Sequence, residues 1–156
     1  MEKQLKIFGI LHKLNLATWS ELRQIADKAL NQGIYAPALV DTALDADAEI
    51  YYIGMAFMKA LSELEISIPQ SKNQCLWLAL QHYIKAIAME KLTPYKGLSE
   101  IMTIFYSCKL YDKSRNYVGD SHDIHHFIGY FWTYNELQED LNSSFDEKKQ
   151  RTLKLD

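Results

Sequence analysis

Apolar residues recur at helical spacing almost throughout this chain, and strand-like alternation is rare. That periodicity limits the fold more than any other feature. The three prolines stand where a helix can begin or a connection can turn. Leu5, Ile7, Phe8, Leu11 and Leu14 mark a first short helix. Thr18 and Glu21 form a T-x-x-E capping box, in which each side chain satisfies a backbone N–H left open at the helix start. Trp19, Leu22, Ile25, Ala26, Ala29 and Leu30 then share one face, and Gly33 supplies the left-handed stop.

Pro37 opens a short helix to about Leu44, and Asp45 or Asp47 caps the next, whose stripe is Ile50, Phe57, Leu61 and Leu64. Ser71 starts a long helix after Pro69. Thr93-Pro94 is a cap followed by a first-position proline, opening a helix with Ile101, Ile104 and Phe105. Residues 111–119 read as a long loop. Asp120 then caps a last helix to about Leu141, with Ile124, Phe127, Phe131, Tyr134 and Leu141 on its core face. Short links between such helices imply an all-α, single-domain antiparallel bundle or array of about six helices, covering 1–156 with a charged tail at 143–156.

A chain of 156 residues buries a core without staples, and 48% hydrophobic with 24% charged residues is ordinary for a globular protein. A formal charge of −3 argues against direct nucleic-acid binding, which needs a basic footprint. Cys75 and Cys108 sit singly in apolar helical contexts and read as buried free thiols. No signal-like stretch follows Met1, and the longest apolar run, from Cys75 to Leu80, is far too short to span a bilayer. The expected setting is cytoplasmic, without membrane attachment.

Chemistry-bearing residues concentrate in the segment from Asp120 to Trp132, which holds three of the five histidines. On a continuous helix His122 and His126 lie four apart on the exposed side, and such a pair can hold a metal with Asp123 assisting. Zinc requires further ligands, and none identifies itself. The chain is therefore expected to hold no metal and no cofactor. His122-Asp123 also matches the dipeptide of the all-helical HD phosphohydrolases. Those enzymes need an upstream His, for which His82 would serve, and a distant downstream Asp, for which Asp140 lies too close. No activated nucleophile or phosphate-cradling glycine loop is present, so the chain does not read as an enzyme.

Two surfaces remain as candidates for a partner. Trp132, with His125 beside it, falls off the aromatic stripe of its helix, and such aromatics either fill a core or anchor an interface. Asp41, Asp45, Asp47 and Glu49 cluster at a helix–helix junction. Their spacing lacks the glycine and terminal glutamate of a calcium loop, which leaves capping and a negative patch able to oppose a basic partner.

The segment from Leu14 to Lys28, with Thr18-Trp19-Ser20-Glu21 and Ala26-Asp27-Lys28, resembles the start of small all-helical bacterial immunity proteins encoded beside polymorphic toxins of the contact-dependent growth inhibition type. Pro37-Ala38-Leu39-Val40 is similar to their second helix, and Thr93-Pro94-Tyr95-Lys96-Gly97 to a further segment. About a third of the chain is covered, mainly by caps and core positions. The resemblance implies binding and neutralisation of the C-terminal domain of a cognate toxin, often a nuclease, and carries over no residue set. A helical adaptor, and then a metal-dependent hydrolase using His122, Asp123 and His126, are the other classes that the residues leave open. An aromatic content of 12% also suffices for a dimer interface, and the oligomeric state stays open.

Overall fold

A computed structural model of the chain describes residues 1–44, 50–113, 116 and 118–137. The described residues are helical, without a strand among them. The α-helices are α1 (Glu2–Lys13), α2 (Trp19–Asn31), α3 (Pro37–Leu44), α4 (Ile50–Glu63), α5 (Lys72–Ala88) and α6 (Pro94–Ser107). Two 3-10 turns, Leu110–Lys113 and Asp120–His122, lead to α7, which is helical through the described residues 125–137. By its contacts the chain divides into two compact units, Met1–His82 and Tyr83–Asp156, and α5 contributes to both.

In the first unit, α3 packs against α2 and α4, and α1 lies against α2 and α4. Leu5, Leu22, Ala26, Leu39, Phe57 and Leu61 fill the centre. The capping box forms as expected: the Thr18 hydroxyl accepts from the N–H of Glu21 at 3.3 Å, and the Thr18 N–H donates to Glu21 Oε2 at 2.8 Å. Gly33 has φ +79°, and the N–H of Ile34 donates back to the Ala29 carbonyl, closing α2. Trp19 departs from the expected core face. It stands in the first turn of α2, exposed, with the Arg23 guanidinium 5.3 Å above its ring. Of the stripe expected on α4, Phe57 and Leu61 are buried and joined by Ile53 and Ala60. Asp45 and Asp47, expected to cap that helix, lie outside the described residues. Within α3 the hydroxyl of buried Thr42 is satisfied by donating to the Ala38 carbonyl at 2.8 Å.

In the second unit, Thr93 caps α6 by accepting from the N–H of Lys96, with Pro94 in the first turn. Leu98, Ile101, Met102, Ile104 and Phe105 are buried along that helix, with Leu110, Ile124 and Ile128 from the segments that follow. Gly97 permits close approach to Ile87, since a Cβ there would stand 2.5 Å from Ile87 Cδ1. Within the expected loop over 111–119, residues 111–113 belong to the first 3-10 turn, where Tyr111 meets the Phe105 ring edge-on at 6.1 Å. Cys75, in the first unit, is buried and Cys108, in the second, partly so, and neither is in a disulfide among the described residues.

Candidate partner-binding surface

The histidine segment folds differently from the continuous helix that its sequence suggests. Gly119 and Asp123 both adopt left-handed backbone, with φ +83° and +53°, and bracket the turn Asp120–His122. The N–H of Ile124 donates to the Gly119 carbonyl at 3.1 Å, so the chain doubles back before α7 begins at 125. A Cβ on Gly119 would stand 2.5 Å from Ile128 Cδ1, so a glycine is needed where the turn meets α7. Asp120 does not cap the helix; its carboxylate accepts from the backbone N–H of Asn116, which ties down the preceding loop.

His122 and His126 therefore do not share a helix, and the expected i, i+4 pair does not form. His122 is only 7% exposed. Burial, joined by the positive charge of Lys113, pushes its pKa below the usual histidine value, and Asp123 opposes the shift. His125 is half-buried and His126 exposed, with ring centroids 4.0 Å apart. Among the described residues no three His, Cys, Asp or Glu side chains converge as a metal site would require.

The core face of α7 is also rotated from expectation. Ile124 and Ile128 are buried, Phe127 and Phe131 are half-buried, and Tyr134 is exposed. The contact of Ile128 with Gly119 sets this phase, while Leu141 lies outside the described residues. Trp132 is 50% exposed, its ring edge-on to Phe131 at 5.9 Å. Tyr95, from the first turn of α6, stacks on Phe131 at 6.1 Å, meets Tyr134 at 6.3 Å and donates its hydroxyl hydrogen to Asn135 Oδ1 at 3.4 Å. Tyr95, Tyr130 and Tyr134 thus join the exposed aromatics of this unit. No sequence signal marks them as exposed, since Tyr134 shares the helical spacing of Phe127 and Phe131 that reads as core.

In the first unit, Asp41 is exposed on α3, opposite buried Ala38, Leu39 and Thr42. Asp45, Asp47 and Glu49 lie outside the described residues. The helix ends on either side carry exposed apolar groups that sequence reading passed over, namely Leu44 in the last turn of α3 and Tyr52 and Met55 on α4. Tyr52, Met55 and Lys59 follow helical spacing away from buried Ile53 and Phe57. Leu44 and Ile50 are six residues apart, so their Cα atoms are within about 21 Å of each other whatever path joins them.

Two open hollows also belong to this unit. One of about 290 Å³ lies over Gln4, Phe8, Glu21 and Lys28, and one of about 330 Å³ over Met58, Ser62, Glu65 and Ile68. Neither is lined by a residue that the sequence offers as a catalytic, metal-binding or partner-binding candidate. No helix among the described residues is long and apolar enough to cross a membrane. Comparison with protein-family models, with curated proteins and with solved structures finds no match to this chain.

Proposed function

We propose that this chain is an immunity protein that binds a cognate toxin domain in the cytoplasm and neutralises it by stoichiometric occlusion. The observation that supports the reading is the character of the α3–α4 region, where exposed Asp41 is accompanied by exposed Leu44, Tyr52 and Met55. An interface needs both components. Apolar and aromatic anchors supply most of the binding energy, and charge steers the encounter and selects the partner. In sequence, Asp45, Asp47 and Glu49 add three acids between those helix ends. A nuclease domain with a cationic cleft presents the complementary surface, and covering that cleft keeps its RNA or DNA out. The role needs no cofactor and no direct contact with nucleic acid.

Replacing Asp41, Asp45, Asp47 and Glu49 with Lys tests the surface. The account expects association with the toxin domain to slow at least tenfold at low salt and to lose its salt dependence. Unchanged association kinetics would remove the acidic region from the mechanism.

A further inference from the structure

The second unit carries an exposed stripe that the α3–α4 surface does not involve. Tyr130, Tyr134 and Leu137 lie at helical spacing on α7, away from buried Ile124 and Ile128, and Tyr95 of α6 extends the stripe through its contact with Tyr134. Tyr130 is 61% and Leu137 55% exposed. With tyrosines contributing 150–250 Å² each when fully covered, the four side chains present on the order of 400 Å² of mostly apolar surface. That lies within the range of about 300–600 Å² for the largest patch on a typical monomer, a size often tied to function.

We infer that this stripe is a self-association surface, through which two copies of the chain pair about a twofold axis. Two properties favour a second copy as the occupant. The first is area: a standard interface covers about 800 Å² per partner, and roughly 400 Å² of aromatic surface supplies the apolar centre that a polar rim completes. The second is charge. In a twofold contact each patch meets itself, so any charge at its centre faces its own kind across the axis. Among the described residues of α7 the positions on this side are His126, Tyr130, Tyr134 and Leu137, without Asp, Glu, Lys or Arg. Glu136 lies on the flank that carries Trp132, about a third of a turn from Tyr130 by helical spacing. Tyrosines suit such a contact, since they bring large area at small rotamer cost and keep a hydroxyl for the wet edge.

Light scattering across a concentration series tests the inference on the full chain. The weight-average mass is expected to rise with concentration from 18.1 kDa towards twice that value. Tyr130→Glu and Leu137→Glu, each at an exposed position, should hold the chain at the monomer mass with helicity and thermal midpoint retained. Trp132→Ala, two residues along α7 and so on a different face, should leave the dimer intact. A wild-type chain that is monomeric at every concentration would overturn the inference. So would a dimer that both Glu variants leave unchanged, or a monomer whose toxin binding alone is lost in Tyr130→Glu, which would place the toxin on this stripe.

Discussion

The carboxylate of Glu63, the last residue of α4, accepts a hydrogen bond from the backbone N–H of Ala38 in the first turn of α3, at 3.0 Å across 25 residues of sequence. Ala36, before Pro37, has no side chain able to cap a helix, and Glu63 serves that open N–H from outside. It also places negative charge at the positive end of the α3 dipole. α3 in turn presents Asp41 and Leu44, so the bond ties a structural detail of α4 to the surface proposed for the toxin.

Glu63→Ala is therefore expected to destabilise the chain by about 1–2 kcal/mol, the range for losing a charged partner at a helix N-terminus. The exposed ion pair of Glu63 with Lys59, at 3.8 Å, adds little. Urea denaturation of Glu63→Ala beside Lys59→Ala separates the two effects. Equal small losses in both would contradict the capping role.

Several helices stop without glycine. Glu65 and Glu90 have φ +56° and +55°, just where the Ile66 N–H reaches back to the Leu61 carbonyl and the Lys91 N–H to that of Ala86. Left-handed backbone costs a residue with a Cβ roughly 1 kcal/mol. Glu90→Gly is expected to stabilise by about that amount, less the extra freedom that glycine gives the unfolded chain. Thermal unfolding decides it, and a lowered midpoint would show that the Glu90 side chain contributes more than its backbone costs.

Acid is expected to weaken the fold through two histidines. Burial holds His12 below the ordinary value of 6.5, and burial together with Lys113 does the same for His122. A lowered pKa means that the folded chain takes up the proton less readily than the unfolded chain. The stability contributed is complete above about pH 6.5 and is lost as pH falls through that value towards the folded-state pKa. Urea midpoints at about pH 7.5 and pH 5 should therefore differ less in a His12→Gln, His122→Gln double variant than in the wild type. An identical pH dependence in the two proteins would exclude these imidazoles as its source.

Trp132→Ala separates core from interface. A fully buried Trp truncated to Ala costs about 3–5 kcal/mol, whereas a half-exposed one resting edge-on against Phe131 should cost about 1 kcal/mol. If Trp132 anchors the toxin, affinity falls on the order of thirtyfold or more while the fold survives. Full affinity with intact stability would take Trp132 off the partner surface.

The legible parts of this fold are those fixed locally. Thr18 with Glu21, Pro37, and Thr93-Pro94 place three helix starts, and Gly33 places a stop, because caps and left-handed turns depend on a few neighbouring residues. The stops at Glu65 and Glu90 carry no glycine to announce them. The histidine segment misled for a different reason. Asp123 takes a left-handed conformation, available to aspartate at modest cost, in a turn closed onto Gly119 and covered by Ile128, and that tertiary closure overrides an otherwise helical pattern. The same closure buries His122 and rotates the core face of α7. Asp41 was readable as a surface acid, while the exposure of Leu44, Tyr52 and Met55 was not, since apolar residues near helix ends carry no sign of which side they face.

The central claim is neutralisation of a toxin domain by direct binding. Its most direct test is to mix the chain with the C-terminal domain of the protein encoded immediately upstream, measure the complex by size exclusion with light scattering, and follow growth rescue in parallel. The account predicts an equimolar complex and restored growth. Absence of both complex and rescue would contradict it.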